Sequence, residues 1–331
     1  MKKFHLLLSA VALIVFVACE ASDDDKLPSG SSKSGGRSTS GSAALTVTNG
    51  TSTDQSNTNK NATGNDNLDT RYEIPRIIGG NDNYILIRST DAHGINYIIE
   101  WNNTKKAQRW TAFQMYNGNS GSSWNRNNWQ YQTDNEWAMK NLQSYGYADP
   151  FQPDPDLPKE YRTELEQYKG SNYSRGHICA SADRLNSMEA NEQTFYLSNI
   201  MPQTSKLNTG TWEEMEKQVR NIWNSNKYRE TLYVVKGGTI DDQHLLSPTS
   251  SGLTVPEYFF MGIVSKLSNK YRGIAFILEH ANPAKNGTSP KNYVFSIDQL
   301  EQMTGIDFFC NLPDNIEKEA ESSVDRNFWG M

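Results

Sequence analysis

The sequence predicts an α+β fold in which a central antiparallel sheet is flanked by helices. Short runs of β-branched and aromatic residues recur along the chain, and each is bounded by Asn, Asp or Gly, which is typical of strands joined by turns. One segment, residues 211–224, instead places its apolar residues at helical spacing. Because turns rather than regular helices connect the apolar runs, an antiparallel sheet is favoured over a parallel one.

The first residues have the pattern of an export signal. Lys2 and Lys3 precede an apolar run at residues 6–17, and a small-residue junction follows that run. The run is shorter than the roughly 20 residues that a transmembrane helix needs. Residues 1–18 are therefore predicted to be the signal peptide of an exported protein.

The segment Phe16–Cys19 resembles a bacterial lipobox, in which the cysteine carries lipid. The resemblance implies lipidation of Cys19 and an outer-membrane lipoprotein that contacts the membrane only through this lipid. The acidic run Glu20–Asp25 resembles surface-export signals of some Gram-negative lipoproteins, which favours the cell surface. The alternative is an ordinary signal peptide cut near Ala21, with a periplasmic or secreted protein as its product.

Residues 19–71 and residues 72–331 differ in composition. The first range is rich in Ser, Gly, Thr, Asn and Asp and has almost no large apolar residues. It cannot bury enough surface to offset its ordering entropy, so it is predicted to be a disordered tether behind the lipidated cysteine. The second range contains all eight tryptophans and no further linker-like segment, so it is predicted to form one domain.

Charge and cysteine content restrict the chemistry of this domain. The formal net charge of the chain is −6, so any nucleic-acid site must be a local basic patch on an acidic body. Cys179 and Cys310 do not have the spacing of zinc ligands. Because an exported chain meets oxidising conditions, a disulfide between the two and a pair of buried thiols both remain open.

The apolar runs are predicted to be strands, and the first two are predicted to form a hairpin around His93–Gly94. In chain order the predicted strands are Tyr84–Arg88, Tyr97–Trp101, Trp110–Tyr116, Thr231–Lys236, Tyr258–Val264 and Arg272–Glu279.

The clearest predicted helix covers residues 211–224. Thr211 and Glu214 have the spacing of a capping box, which predicts that the helix begins there. Glu216 and Arg220 fall at the edge of its apolar stripe, so they are expected to face a cleft. An exposed ion pair between the two, worth about 0.3–0.5 kcal/mol, is the alternative.

Polar motifs follow one another in the middle of the chain. In order they are Arg175–His177, Asn199 in a Ser-Asn-Ile-Met-Pro-Gln run, Asn208 in a Leu-Asn-Thr-Gly-Thr-Trp run, and then Glu216 and Arg220. A neutral imidazole is well matched to take a proton from water near pH 7. Amide and carboxylate oxygens bind hard divalent cations, and guanidinium groups bind phosphate bidentately. These residue types together suit the hydrolysis of a phosphodiester.

The order of these motifs resembles the signature of the DNA/RNA non-specific endonucleases, the secreted nucleases of the ββα-metal (His-Me finger) group. The resemblance is close over residues 173–220 and looser over residues 72–315. It implies a ββα-metal nuclease fold for the domain at residues 72–331. It also implies endonucleolytic hydrolysis of DNA and RNA to 5′-phosphate ends, with Mg²⁺ as the cofactor, Mn²⁺ or Ca²⁺ as substitutes, and no obligate protein partner.

The resemblance also implies roles for individual residues. His177 would be the general base, Asn208 the direct metal ligand, and Glu216 a metal-site residue that acts through water. The supporting or phosphate-binding residues, which would contact the nucleic-acid backbone or brace the site, would be Asn199, Arg126, Arg175 and Arg220. Arg126 lies in a segment with one residue more than the family pattern, Asn125–Trp129.

The chain departs from the family pattern at Ser174, where an Asp is usual. A serine accepts a hydrogen bond less strongly than a carboxylate does. The alternatives are therefore a metal phosphodiesterase for another substrate class, a nucleic-acid-binding lipoprotein with weakened catalysis, and a glycan-binding lipoprotein. Asp183–Arg184, directly after the histidine motif, is predicted to be a structural ion pair or cap.

Overall fold

The computed structural model describes residues 42–285 and 287–331. The strands are β1 (Ala43–Leu45), β2 (Asn83–Thr90), β3 (Gly94–Asn102), β4 (Ala107–Tyr116), β5 (Ser174–His177), β6 (Ile200–Gln203), β7 (Thr231–Gly238), β8 (Leu245–Leu246), β9 (Val255–Pro256), β10 (Tyr258–Leu267), β11 (Lys270–Glu279) and β12 (Val294–Phe295). The α-helices are α1 (Asp66–Asp69), α2 (Glu136–Tyr145), α3 (Met188–Gln193), α4 (Trp212–Gln218), α5 (Ile297–Thr304), α6 (Asp314–Glu321) and α7 (Arg326–Trp329).

The largest sheet of the described residues has eight strands in the order β1-β2-β3-β4-β7-β10-β11-β12, and its pairs are antiparallel. The predicted hairpin forms between β2 and β3, with the turn at His93. The other four predicted strands are β4, β7, β10 and β11. The prediction of a central antiparallel sheet flanked by helices is therefore confirmed.

Side chains alternate between the two faces of this sheet, as the pleat requires. In β10, Phe259 and Met261 belong to the core that contains Trp212 of α4, whereas Phe260 and Val264 belong to a second core. The second core also contains Ile297 and Leu300 of α5 and Ala320 of α6. We call these two sides the α4 face and the α5–α6 face.

A small sheet of β5 and β6 lies on the α4 face and leads into α4. His177 of β5 pairs with Ile200 of β6, and Ser174 pairs with Gln203. Gly176 is needed in β5, because a Cβ there would lie 2.3 Å from the side chain of Gln203. Two short antiparallel strands followed by a helix are the core of a ββα unit.

The helix that carries Glu216 begins before the predicted capping box. Helical turns start at Ser205, and wide π-type turns cover Leu207–Thr211 and Val219–Trp223 on either side of α4. Thr211 is itself helical and caps nothing with its side chain. Its hydroxyl instead donates to the carbonyl oxygen of Pro283 at 3.4 Å. The helix kinks at Gly210, whose backbone leaves the helical region.

Residues 42–71 are packed on the domain, whereas their composition predicts a disordered tether. β1 pairs with β2. The amide of Asn57 donates to the carbonyl oxygen of Leu312 at 2.7 Å, and the backbone N–H of Asn61 donates to Asn311 at 3.0 Å. Both asparagines are buried. Hydrogen bonds from buried amides hold this segment where apolar burial is scarce, so the ordered domain extends back to residue 42 at least.

The predicted signal peptide and Cys19 lie outside the described residues. Within the described ranges no helix is both long and apolar enough to cross a membrane. Cys179 and Cys310 are buried free thiols, which decides the open question of their pairing against a disulfide.

Candidate active site

His177 ends β5 on the α4 face, with its ring between two aromatic side chains. Phe195 meets the imidazole edge-on at 4.9 Å and Phe151 lies at 5.4 Å, measured between ring centroids. The Nε2 atom of His177 is buried and has no hydrogen-bond partner among the described residues. A buried ring nitrogen without a partner costs free energy, which is tolerated where it serves a ligand.

The protonation state of His177 is set by burial and by cationic neighbours. Burial lowers its pKa well below the usual 6.5, and the positive charges of Arg126, Arg175 and Lys236 lower it further. The imidazole is therefore neutral at pH 7. A neutral imidazole with an unused nitrogen can accept a proton.

Two of the predicted arginines lie beside His177. The guanidinium of Arg175 lies 4.2 Å from the ring centroid of Phe151 and donates to the hydroxyl of Tyr147. The guanidinium of Arg126 lies 5.0 Å from the ring centroid of Phe195, and its Nε donates to Asp149 at 2.8 Å. Both cations thus contact the same aromatic pair that holds the imidazole.

Asn199 braces the histidine segment from behind. It is fully buried, and its side-chain oxygen accepts from the backbone N–H of Cys179 at 2.9 Å. Its amide nitrogen donates to the carbonyl oxygens of Cys179 and Thr194 at 2.9 and 2.8 Å. Because both ends of the amide are engaged with backbone, Asn199 fixes the chain just after His177 and does not face the cleft.

Four charged side chains form a compact group between α4, β7 and the turn after β5. We call Asp183, Glu216, Arg220 and Lys236 the four-charge cluster. The Nζ of Lys236 lies 3.0 Å from Glu216 and 3.9 Å from Asp183. The Nε of Arg220 lies 2.7 Å from Asp183. The predicted pair of Glu216 with Arg220 is the loosest contact of the group at 4.0 Å.

Burial determines the acid–base behaviour of this cluster. It raises the pKa of Glu216, while the neighbouring Lys236 lowers it and Asp183 raises it again. Two cations and two carboxylates balance within the cluster, which is the condition under which charges are tolerated at low exposure. Glu216 is therefore held by Lys236 rather than by solvent.

Sequence reasoning missed Lys236 and assigned Asp183 only a structural role. A signal for Lys236 was present, since it follows Leu232 and Val234 with a period of two in an otherwise apolar strand. A lysine on the buried face of a strand needs an acidic partner. That partner comes from α4, and sequence separation hides the contact.

Asn208 lies in the turn before the kink at Gly210. Its backbone N–H donates to the carbonyl oxygen of Thr204 at 2.9 Å, and its side chain makes no hydrogen bond to any described residue. The side-chain oxygen is thus available to a ligand. Ser174, at the family's Asp position, lies 3.3 Å from the hydroxyl of Ser205, measured between oxygens, and links β5 to the start of the helix.

The donor set near Asn208 and Glu216 suits a hard divalent cation. An unused amide oxygen and a buried carboxylate are oxygen ligands of the kind that Mg²⁺ accepts while it keeps several waters. Neither residue offers nitrogen or sulfur, which softer metals prefer. The residues present therefore fit a magnesium-type ion.

Comparisons with known proteins agree with this geometry. The profile of the DNA/RNA non-specific endonucleases matches residues 87–315. A nuclease of a Nostoc species is 31% identical over 253 residues, which cover 74% of this chain and 80% of that protein. The mitochondrial nuclease EXOG of Xenopus laevis is 30% identical over 202 residues, which cover 54% of each chain.

Among solved structures, that of the EndoG/EndoGI complex, described as showing the mechanism of EndoG inhibition, shares the fold. Its TM-score is 0.53 at 18% identity, and the match covers 70% of this chain and 88% of that chain. Together with the β5–β6–helix unit, this likeness confirms the predicted ββα-metal nuclease fold.

Proposed function

Because the chain belongs to the DNA/RNA non-specific endonuclease family, we propose that it is a metal-dependent endonuclease that hydrolyses phosphodiester bonds of both DNA and RNA, with His177 as the general base. The observation that carries the proposal is the partnerless Nε2 of His177, on an imidazole kept neutral by burial and by nearby cations. That nitrogen takes the proton of the attacking water.

The two arginines beside His177 bind the nucleic-acid backbone. Arg175 is held by aromatic rings and by Tyr147, so it loses little freedom when a phosphate binds. Arg126 is paired with Asp149, and its side chain is 44% exposed, so it can share its donors with a phosphate. Neither arginine reads base edges, and broad substrate choice follows.

Asn208 would hold the divalent cation directly, and Glu216 would contact it through water. When bound, Mg²⁺ would stabilise the charge that develops on the phosphate and leaving oxygens. Lys236 and Asp183 act on this site through Glu216 and Arg220. They are positioning residues, since they fix the direction of the carboxylate and of the guanidinium.

Cleavage of defined substrates tests this function. The purified chain should convert supercoiled plasmid to open-circular and linear forms, and should degrade RNA, with Mg²⁺ present. EDTA should stop both reactions, and added Mg²⁺ or Mn²⁺ should restore them. The cleaved ends should carry 5′-phosphates that a ligase accepts.

Two other outcomes would redirect the proposal. Hydrolysis of small diesters without cleavage of plasmid or RNA would indicate a phosphodiesterase for another substrate class. Binding of nucleic acid without hydrolysis under any divalent metal would indicate a binding lipoprotein, and would place the cause at Ser174.

We also propose that the protein is exported and anchored through lipid on Cys19. The basic and apolar start of the chain and the lipobox-like Phe16–Cys19 support the proposal. Metabolic labelling with a palmitate analogue should mark the wild-type chain, and Cys19→Ala should abolish the label. Label that persists in Cys19→Ala would contradict the anchor. Accessibility of the domain to protease added to intact cells distinguishes a surface location from a periplasmic one.

A further inference from the structure

A second group of acidic residues lies on the α5–α6 face, across the sheet from His177. Asp298 and Glu301 are on α5, and Glu321 is the last residue of α6. Both helices pack on β10 and β11 through the second core. α6 approaches β11 closely, because a Cβ at Gly273 would lie 2.2 Å from the carbonyl oxygen of Ala320. The group therefore sits where two helices are fixed to one sheet.

The three carboxylates converge on one point. One oxygen from each of Asp298, Glu301 and Glu321 lies within 4.8 Å of the other two. Glu321 is only 4% exposed, and its Oε1 is buried without a hydrogen-bond partner among the described residues. Asp298 and Glu301 are half-buried. A buried carboxylate oxygen that faces two further carboxylates points to a missing cation.

No basic side chain of the described ranges neutralises this group. None of the three carboxylates has a Lys, Arg or His nitrogen within 4.0 Å in residues 42–285 and 287–331. The polar contact of Glu301 is the backbone N–H of Phe308, which donates to it at 2.7 Å. Burial, followed by the neighbouring carboxylates, raises the pKa of Glu321 to about 11. The contrast with the four-charge cluster is plain, since there each carboxylate has its own cation.

We propose that Asp298, Glu301 and Glu321 bind a Ca²⁺ ion that ties α5 to α6. Calcium takes oxygen ligands at about 2.3–2.6 Å, so two ligands on opposite sides of the ion lie about 4.6–5.2 Å apart. A span of up to 4.8 Å fits this range. Opposite ligands of Mg²⁺ lie only about 4.0–4.2 Å apart and need near-ideal octahedral geometry.

The site has an entry path and room for water. A cavity of about 410 Å³ opens beside the group, and its lining includes Asp298, Gln299 and Ser322. Three carboxylates supply fewer ligands than the 6–8 that Ca²⁺ takes, so waters complete the shell. An affinity in the range of extracellular calcium modules, about 10⁻⁴–10⁻³ M, follows from so few protein ligands. The role is structural, because the site lies on the face away from His177.

Calcium titration with matched variants tests the site. Asn208→Ala is used as the background so that calcium at the active site does not contribute. In this background isothermal titration with CaCl₂ should give one binding event, and about 10 mM Ca²⁺ should raise the melting temperature by about 3 °C. Adding Glu301→Gln with Glu321→Gln should abolish both effects. Adding Glu319→Gln, an exposed glutamate of α6, should leave both unchanged.

The result is decisive in either direction. Equal calcium binding and equal thermal shifts in the double Gln variant and in its Glu319→Gln control would overturn the site, as would the absence of any effect of CaCl₂. The double variant should fold without calcium, because glutamine has the same shape and removes charge repulsion. If circular dichroism shows that it does not fold, Asp298→Asn at the half-buried position takes its place. It should weaken calcium binding at least tenfold, and unchanged binding would overturn the proposal.

Discussion

At the residue scale, the pKa of His177 connects the surroundings of one side chain to the rate of a reaction. Burial and the charges of Arg126, Arg175 and Lys236 hold this pKa well below 6.5. A general base works only in its neutral form, so kcat/KM is lost as pH falls through the pKa of the free enzyme. The acid limb of the profile should therefore lie below pH 6.5, with a flat region above it.

Removing one of the cations should shift this limb in a known direction. Arg126→Ala takes away a positive charge beside His177, so the pKa rises and the acid limb moves to higher pH. Arg126→Lys keeps the charge and should leave the limb in place. The measurement is kcat/KM for a short oligonucleotide at a series of pH values. A limb that does not move in Arg126→Ala would contradict the assignment of His177.

Lys236 should be worth much more to stability than an exposed lysine of the same helix–sheet region. Lys236→Met leaves Glu216 and Asp183 buried without a cation, which costs about 3–5 kcal/mol of unfolding free energy. The control is Lys217→Met, whose exposed contacts with Glu213 and Glu214 are worth at most about 1 kcal/mol. Urea denaturation measures both variants. Similar losses in the two would show that the four-charge cluster carries no special energy.

The residues of the site differ in how far the sequence could identify them. His177 and Asn208 stand in local motifs, and the family resemblance gives each a role that the structure's orphaned Nε2 and unused amide oxygen support. Asn199 was predicted as a site residue, but its contacts are with backbone only, which no motif reveals. Lys236 comes from a strand far from the motif in sequence, so its contact with Glu216 could only be seen in the fold.

At the element scale, the β5–β6 pair positions the imidazole through a steric requirement. Gly176→Ala would place a Cβ 2.3 Å from the buried side chain of Gln203, so β5 must move away from β6. We expect a loss of about 1–3 kcal/mol in stability and reduced cleavage, since His177 is the next residue. Thermal unfolding and plasmid cleavage measure the two effects.

A matched glycine provides the control for this variant. A Cβ at Gly121 would have its nearest neighbour at 3.8 Å, so Gly121→Ala should be tolerated. If Gly176→Ala were as stable and as active as Gly121→Ala, the close contact between β5 and Gln203 would not be what positions His177.

Strands were easier to predict than the start of the catalytic helix. Apolar period-two runs survive in β2, β3, β4, β7, β10 and β11, because each strand buries at least one face. The capping box at Thr211 failed for a physical reason. The helix is extended backwards by π-type turns, and the threonine hydroxyl contacts Pro283 from another part of the chain.

At the scale of the whole molecule, the segment at residues 42–71 is part of the folded domain. A chain that begins at residue 72 loses β1 and the buried hydrogen bonds of Asn57 and Asn61, and it exposes the edge of β2. Compared with a chain that begins at residue 42, we expect a loss of at least about 2 kcal/mol, from about 1 kcal/mol for each buried hydrogen bond. Equal urea midpoints for the two chains would contradict this packing.

Composition could not anticipate this order, because amide hydrogen bonds rather than apolar residues hold the segment. The overall architecture was predictable, since the alternating strands and the ββα motif are both local in sequence. The division of the sheet into a catalytic face and an acidic face was not. It depends on which side of β10 and β11 each helix covers, and no local pattern records that choice.

The most direct test of the central claim is plasmid cleavage by His177→Ala with and without added imidazole. Loss of the general base should lower kcat by about 10²–10⁴-fold at pH 7. Circular dichroism should show the wild-type fold, and imidazole in solution should restore part of the activity by taking the proton in place of the side chain. Cleavage by His177→Ala within tenfold of the wild-type rate would mean that another group removes the proton, and that the active site has been placed wrongly.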